Sequence, residues 1–194
     1  IVASLVGSEM CIRDRLTVFQ RTPNFSVPAK NSSLDKAWVA AFKANYAAHR
    51  HNHRIGNGSG FGDLDIEPKA TVEAPTLFDE VTESEAHALL EAAWQRGGAR
   101  FMAAIGDTLM NQTANDYAQK FIHNKIRSIV HDPETAEALC PTSHPVGTRR
   151  ICVDIDYFET YNKSNVRLLN VAEDPIIRVT ESGVQTELEH VPLD

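Results

Sequence analysis

The chain has 194 residues, of which 42% are hydrophobic, and this is enough apolar material for the core of one or two domains. Its net charge of −7 at pH 7 argues against a broad nucleic-acid surface, because such surfaces are basic. No stretch approaches the ~20 apolar residues of a membrane helix, and three cysteines without a CxxC spacing predict free thiols. We therefore expect a cytoplasmic protein that binds neither nucleic acid nor membrane.

Residues 1–15 differ in character from the rest of the chain. The run from Leu5 to Arg15 resembles the peptide produced when a sequencing-adapter remnant at the broken end of an open reading frame is translated. We expect this region to be non-native and leave it out of the fold prediction. The alternative is a genuine N-terminal strand.

A strand is predicted over residues 16–21, which are rich in strand formers and are followed by Pro23. In a dinucleotide-binding fold, the end of such a strand lies near the adenosine ribose, where an arginine favours the 2′-phosphate of NADP. Arg21 and Thr22 suit this role, because a guanidinium makes two parallel bonds to phosphate and a hydroxyl donates one more. The alternative is an ordinary surface arginine at a strand end.

A mainly helical block is predicted next, and its first helix begins at the favourable start residues Asn31–Ser33 and ends near His49. One face of this helix carries an apolar residue at every fourth position. These residues are Leu34, Trp38, Phe42 and Tyr46. Alternating histidines follow, at positions 49, 51 and 53. We interpret them as a polar loop, because alternation at a fraying helix end does not set the geometry of a metal site.

Alternating glycines between Gly56 and Gly62 resemble a phosphate-binding loop at first sight. No predicted strand precedes them and no helix follows at once, so the structural context of such a loop is missing. We therefore predict a flexible loop here, followed by an extended or irregular segment over residues 67–81, which contain two prolines.

The remainder of the block predicts further helices. Thr82–Glu85 resembles a capping box at a helix start, and Gly97-Gly98 is typical of a helix end. Apolar spacing predicts a short helix over Phe101–Leu109 and a longer one over Tyr117–Val130. Asp132-Pro133 then predicts the N-cap and first position of another short helix. We assign these apolar stripes to the core and no cofactor to them.

Strands are predicted after residue 141. One covers Ile151–Val153, and Val166–Val171 is a buried strand with Leu169 on the face opposite Val166 and Leu168. Ile176–Thr180 and Val184–Glu187 alternate around a turn and predict a hairpin. A helical insertion inside an α/β nucleotide domain fits the order strand, helical block, strands better than an all-helical bundle does.

Arg149 and Arg150 are the second candidate site. They follow the loop Pro145–Thr148 and precede a predicted strand, so the turn can direct the two side chains to different groups. One arginine then serves a phosphate while the other faces another ligand. Two solvated arginines that balance an acidic protein are the alternative.

In their order and spacing, several of these stretches resemble Baeyer–Villiger monooxygenases, flavin enzymes that use NADPH and oxygen. The stretches are Leu16–Pro28 (with Leu-Thr-Val-Phe-Gln-Arg-Thr-Pro), Trp94–Gly98, Thr113–Val130, Asp132–Pro141 and Gly147–Val171 (with Gly-Thr-Arg-Arg and Asp-Tyr-Phe-Glu-Thr-Tyr-Asn). The resemblance covers essentially everything after Arg15.

The resemblance implies an α/β fold, in which a Rossmann-type NADP-binding domain carries an inserted, mainly helical subdomain. Residues 16–30 would be a strand and loop of that domain, residues 31–144 the insertion, and residues 145–194 the truncated return. No G-x-G-x-x-G follows a predicted strand, so we expect an internal fragment whose FAD site lies outside it and which is inactive alone.

The resemblance also implies an activity: FAD- and NADPH-dependent conversion of a small-molecule ketone to an ester or lactone with O2 through a flavin peroxide. Arg21 and Thr22 would bind the 2′-phosphate of NADP, and Arg149 would occupy a phosphate-binding place usually held by lysine. Arg150 would contact the cofactor and act as the catalytic arginine. A fixed cation there keeps the peroxide deprotonated and stabilises the charge that develops on the substrate.

Two other functions remain open at this point. One is a related flavin monooxygenase that oxidises nitrogen or sulfur. The other is a helical interaction module without catalysis. No metal site is expected under any of the three.

Overall fold

The computed structural model describes residues 15–31, 33–55 and 76–193. The predicted flexible glycine loop and most of the extended segment after it lie outside these residues. So does the region that is predicted to be non-native, apart from Arg15. The described chain divides into two compact units. Unit 1 draws on residues 1–25, 122–144 and 156–194, and unit 2 on residues 26–121 and 145–155. The division at residues 16–30, 31–144 and 145–194 stays a prediction.

The described chain combines helices with strands, and two pairs of these strands are parallel, which confirms the α/β class. The strands are β1 (Leu16–Gln20), β2 (Ser26–Pro28), β3 (Cys152–Asp154), β4 (Val166–Asn170), β5 (Ile176–Thr180), β6 (Gly183–Thr186) and β7 (His190–Pro192). The α-helices are α1 (Lys36–Ala44), α2 (Tyr46–Ile55), α3 (Glu83–Arg96), α4 (Gln112–Ile129), α5 (Pro133–Leu139) and α6 (Tyr157–Thr160). In the described helices, no run of residues is long and apolar enough to cross a membrane.

Unit 1 contains a parallel pair and a meander. β1 pairs in parallel with β4, from Leu16 opposite Val166 to Gln20 opposite Asn170. β5, β6 and β7 form an antiparallel sheet in that order, which confirms the predicted hairpin. β7 was not predicted because it is short. In β4 it is Leu169 that is fully buried, at 4% exposure, whereas Leu168 on the opposite face is partly exposed.

Packing within unit 1 accounts for two aromatic residues of the segment 156–162, because Phe158 and Tyr161 are buried. Asn162 closes the end of α4, because its Nδ2 donates to the Ile129 carbonyl at 2.8 Å and its Oδ1 accepts from the His131 N–H at 2.8 Å. This part of the motif therefore supports the fold.

The predicted first helix is wrong at both ends. α1 begins after Asp35, whose carboxylate accepts the Trp38 N–H at 2.8 Å, and not at Asn31–Ser33. Beyond a local break at Asn45 the chain continues as α2, so the histidines predicted in a polar loop lie in a helix. The Asn45 carbonyl accepts the His49 N–H at 3.1 Å and thereby restarts the helical bonding.

The predicted ends of α3 are confirmed in unit 2. Thr82 and Glu85 form the capping box, with the Thr82 N–H donating to the Glu85 carboxylate at 2.8 Å. Gly97 ends the helix at φ +78°, and a Cβ there would lie 2.6 Å from the Pro28 carbonyl oxygen. Only glycine fits this position, because both the backbone angle and the contact exclude a side chain.

The helix predicted over Phe101–Leu109 is instead a 3-10 helix at Ala99–Ala103 followed by turns. Polar side chains bond to the backbone in these turns, as in the Thr108 hydroxyl donating to the Ile105 carbonyl at 2.8 Å. The longer helix is confirmed as α4. The core of this unit includes a cluster of three rings, with centroids about 6 Å apart, formed by Trp94, Phe101 and Phe121.

Two short predicted elements are also found. Asp132 caps α5 by accepting the Thr135 N–H at 2.8 Å, with Pro133 at the first helical position. The strand predicted at Ile151–Val153 is β3, one residue later, and it pairs in parallel with β2. β2 itself was not predicted, because a segment of three residues that ends at Pro28 carries little strand signal.

Candidate functional site

Arg21 and Thr22 directly follow β1, at the edge where the carboxyl ends of β1 and β4 meet. Arg21 is exposed and Thr22 is partly buried. The Val171 N–H donates to the Gln20 carbonyl at 2.9 Å, so the strand pair remains closed up to the last residue before Arg21. Ligands of parallel α/β sheets bind outside this edge, and the two side chains are thus in the position expected for a nucleotide contact.

The segment that carries Arg21 is held from both sides within unit 1. Before it, the Gln20 side chain donates to the Ala138 carbonyl at 2.8 Å. After it, Phe25 is 1% exposed and its ring lies parallel to that of His123, with centroids 6.1 Å apart. The ring of His144 packs edge-on against Phe25 at 5.4 Å. The backbone around Arg21 therefore has fixed points on both sides.

His123 is buried, and one of its ring nitrogens, Nε2, lies 2.9 Å from the Pro141 carbonyl oxygen. Burial lowers the pKa of His123, although the hydrogen bond to Pro141 opposes this effect. A neutral ring with a proton on Nε2 satisfies that carbonyl. Burial also raises the pKa of the neighbouring Cys140 thiol to about 11, which makes it a poor nucleophile.

Arg149 and Arg150 lie in unit 2, between a tight turn and β3, and both are exposed. The turn begins at Val146, which is fully buried. Its N–H donates to the Asn115 Oδ1 at 3.0 Å, and its carbonyl accepts from the Asn115 Nδ2 at 2.9 Å. A side chain of α4 is therefore hydrogen-bonded to the backbone three residues before Arg149.

Gly147 comes next and adopts φ +84°. A Cβ at this position would lie 2.4 Å from Leu109 Cδ2 and 2.8 Å from Met102 Cε. Thr148 then closes the turn, with its hydroxyl donating to the Pro145 carbonyl at 2.9 Å. Any side chain is therefore excluded at position 147, and the Thr148 hydrogen bond helps to hold the turn.

On the other side of the arginine pair, Ile151 is buried and β3 follows. β3 is tied to β2 by its parallel ladder and by the hydroxyl of the buried Ser26, which donates to the carboxylate of Asp154. Arg149 and Arg150 therefore lie in a short exposed stretch whose backbone is held on both sides, by Val146 before it and by Ile151 and β3 after it.

The four predicted site residues fall into two pairs, one in each unit. Arg21 and Thr22 lie in unit 1, and Arg149 and Arg150 lie in unit 2. Among the described residues, no group of three or more histidine, cysteine, aspartate or glutamate side chains has the arrangement of a metal site.

Sequence reasoning missed the residues that hold the two pairs. Asn115 had a detectable signal, since it lies on the buried side of α4 in series with Ala118 and Ile122. A polar residue within a core stripe usually has a specific hydrogen-bond partner. Phe25 and His123 had no such signal, because their contact joins distant parts of the chain.

Known proteins similar to this chain are monooxygenases by name, although no protein-family model matches it. It is 39% identical over 182 residues to phenazine N-monooxygenase PhzNO1 of Lysobacter antibioticus, which covers 90% of the chain and 31% of that protein. It is 38% identical over 174 residues to cyclohexanone 1,2-monooxygenase of an Acinetobacter species, covering 89% and 30%. It is 36% identical over 178 residues to a Baeyer–Villiger monooxygenase of Pseudooceanicola batsensis, covering 91% and 31%.

Solved structures show the same relationship. A steroid monooxygenase bound to NADP superposes with a TM-score of 0.83 at 39% identity, covering 99% of this chain and 36% of that one. The complex of OTEMO with FAD and NADP gives a TM-score of 0.80 at 32% identity, covering 93% and 32%. The chain therefore spans about a third of the length of the proteins that it matches.

Proposed function

The chain belongs, over the segment that it shares with these relatives, to the Baeyer–Villiger monooxygenase family, and we propose that the protein is an FAD- and NADPH-dependent enzyme that converts a ketone to an ester or lactone with O2. The observation that carries the proposal is 38% identity to a cyclohexanone monooxygenase over 89% of the chain. Because the chain spans only 30% of that enzyme, the activity, the ketone substrate and the cytoplasmic location of the whole protein are proposals.

In this proposal Arg21 and Thr22 bind the 2′-phosphate of NADP. They fit the group chemically, since a guanidinium and a hydroxyl are donors and phosphate oxygens are acceptors. They also fit by position, at the carboxyl edge of the parallel β1–β4 pair, which is the arrangement of a Rossmann-type domain. By the same resemblance, Arg149 is proposed to contact a cofactor phosphate, and its flat, forked head favours two parallel bonds.

Arg150 is proposed as the catalytic arginine. When bound, NADPH supplies the hydride and FAD supplies the oxygen chemistry. The role of Arg150 is to hold a permanent positive charge at a fixed place beside the reacting oxygen atoms. A cation there favours the deprotonated form of a nearby oxygen acid and stabilises negative charge that develops on a substrate carbonyl. Arginine does this without releasing a proton of its own.

The direct test is product analysis with the full-length enzyme. We expect cyclohexanone, NADPH and O2 to yield the seven-membered lactone, with one NADPH consumed for each lactone formed. Gas chromatography of the extract and absorbance of NADPH measure the two quantities. NADPH consumption without any ester or lactone from a panel of cyclic and linear ketones would contradict the proposal.

A second candidate function is N-oxidation of an aromatic heterocycle. The specific observation in its favour is 39% identity to a phenazine N-monooxygenase over 90% of the chain. The two reactions differ in the atom that accepts oxygen. A phenazine and a ketone offered together, with products separated by mass spectrometry, distinguish them: an N-oxide without a lactone supports this second function.

A further inference from the structure

A buried side chain of α4 has no role in the proposed chemistry as described above. Asn115 is 6% exposed and its carboxamide bonds to three backbone groups. Nδ2 donates to the carbonyls of Thr108 and Val146, both at 2.9 Å. Oδ1 accepts the Val146 N–H at 3.0 Å. Both amide hydrogens are therefore used, and Val146 is paired as it would be by a neighbouring strand.

Of the common side chains of this size, only asparagine satisfies the three groups. Aspartate would place a charged oxygen, which cannot donate, against the two carbonyl oxygens, and leucine would leave all three groups unpaired. Glutamine is one methylene longer in a close-packed site. A buried backbone group without a partner is costly, so Asn115 is required in this conformation of the turn.

Asn115 fixes the backbone at Val146, and the chain leads from there to Arg149 and Arg150. Val146 is followed by Gly147 at φ +84°, a position where an added Cβ would lie 2.4 Å from Leu109 Cδ2, so this backbone conformation requires glycine. Four residues, 147–150, connect Val146 to the buried Ile151. A segment this short has few conformations once its two ends are fixed. Fixing Val146 therefore limits the directions in which Arg149 and Arg150 leave the backbone.

We propose that Asn115 is a positioning residue for Arg149 and Arg150, acting through the backbone of Val146. This inference rests on the proposed function, because it assumes that the two arginines serve NADP and the reacting oxygen atoms. Positioning of this kind matters because a misplacement of about 1 Å can cost about 100-fold in rate.

The first test is the kinetics of Asn115→Ala in the full-length enzyme. We expect kcat/KM for NADPH to fall about 10- to 100-fold. We also expect less lactone per NADPH consumed, while the FAD content stays that of the wild type. Asn111→Ala is the matched control. Asn111 lies just before the same helix and its Oδ1 accepts the Thr113 N–H at 3.0 Å, so its loss weakens α4 without removing a bond to Val146.

A merely structural role for Asn115 predicts that both variants lower the melting temperature and leave the lactone-to-NADPH ratio unchanged. That result would overturn the inference. If the Arg150→Ala enzyme loses oxygenation while Asn115→Ala behaves like Asn111→Ala, the proposed function stands and only the inference fails.

A second readout does not depend on activity. Amide hydrogen exchange over residues 145–151 reports directly on the turn. We expect exchange at least about tenfold faster in Asn115→Ala and unchanged in Asn111→Ala; wild-type exchange in Asn115→Ala would overturn the inference even if the enzyme forms no lactone. Should Asn115→Ala fail to fold, Gly147→Ala disturbs the same turn from its other side. Wild-type hydrogen exchange over residues 145–151 and a wild-type ratio of lactone to NADPH in Gly147→Ala would also contradict the inference.

Discussion

The Arg21–Thr22 pair and the Arg149–Arg150 pair are held by different kinds of interaction. Arg149 and Arg150 follow a turn that is fixed by a neutral carboxamide and a glycine, so hydrogen bonds and backbone geometry set its shape. Arg21 follows a strand end, and its segment is fixed by the packing of Phe25 between two histidine rings. The first arrangement is directional and uses the neutral side chain of Asn115, whereas the second includes the ring of His123, which can take up a proton.

This difference suggests that the Arg21–Thr22 pair and the Arg149–Arg150 pair respond to different changes. Loss of a single hydrogen-bonding side chain should disturb the catalytic pair, because directional bonds are few and are lost completely. Arg21 and Thr22 should instead respond to substitutions that leave a cavity and to low pH. Packing weakens gradually as buried atoms are removed, and protonation of a buried imidazole is unfavourable. The variants below separate these responses.

The largest effect is expected for Arg150→Ala. Removing a positioned cation from developing charge typically costs about 100- to 1,000-fold in rate, so ester formation should be nearly abolished. Part of the NADPH oxidation should remain, because hydride transfer does not need this charge. The measurement is ester yield against NADPH consumed in the full-length enzyme. Arg178→Ala, an exposed arginine in β5, is the control, and normal ester yield from Arg150→Ala would refute its catalytic role.

Arg21→Gln should have the next largest effect, and on cofactor choice alone. A charge-assisted hydrogen bond contributes about 1.5–3 kcal/mol, so KM for NADPH should rise about 10- to 100-fold. NADH lacks the 2′-phosphate, and its KM should therefore be unchanged. Steady-state kinetics with both cofactors provide the measurement and its control. Equal losses with NADPH and NADH would mean that Arg21 contacts another part of the nucleotide or supports the fold.

Phe25→Leu should act on the Arg21 pair indirectly. The lost ring contacts cost about 1 kcal/mol, and the segment after β1 gains freedom. We expect a several-fold rise in KM for NADPH with an unchanged ester-to-NADPH ratio, since Arg150 is not held by this ring. Phe158→Leu is the matched control, because Phe158 is equally buried in unit 1 but packs against Tyr157. Uncoupling in Phe25→Leu would contradict the division between the two pairs.

The smallest effect is expected from pH. Burial lowers the pKa of His123, aided by Arg127 and opposed by Pro141 and Glu137. The folded state therefore binds a proton less readily than the unfolded state. The stability contributed by neutral His123 is complete above about pH 6.5 and is lost as the pH falls through the lowered pKa of the folded protein. Amide exchange over residues 140–144 should accordingly become faster on acidification, after correction for intrinsic rates.

His123→Gln removes the titrating ring and should make this exchange independent of pH over the same range. Exchange over residues 145–151 is the internal control, because the Asn115 contacts contain no group that titrates there. A pH response of equal size in both segments would show that the whole protein loosens in acid and that His123 is not the cause.

Much of the local structure followed from short sequence signals. The capping box at Thr82, the glycine end at Gly97 and the Asp132-Pro133 start are all found where predicted. Each of these signals acts over a few residues, so the neighbouring chain supplies both the donor and the acceptor. The first helix was misplaced because Asp35, and not Asn31–Ser33, supplied the cap.

The candidate site was predictable only in part. Arginine residues at a strand end and after a turn indicated phosphate binding. Their roles stay predictions until the variants are measured. Asn115 and His123 were missed, because Val146 lies 31 residues from Asn115 and Pro141 lies 18 residues from His123. A pattern along one helix shows that such a residue is buried, but not which distant backbone group it meets.

The sequence by itself determined the α/β class and most helix and strand positions, and it indicated Arg21–Thr22 and Arg149–Arg150 as candidates, since periodicity, caps and turns are properties of adjacent residues. Only the tertiary structure decided that β1 pairs with β4, that Leu169 is the buried residue of β4, and that Asn115 is hydrogen-bonded to Val146. These outcomes depend on which distant segments meet, and that choice is made by the packing of the whole chain and not by any short stretch of it.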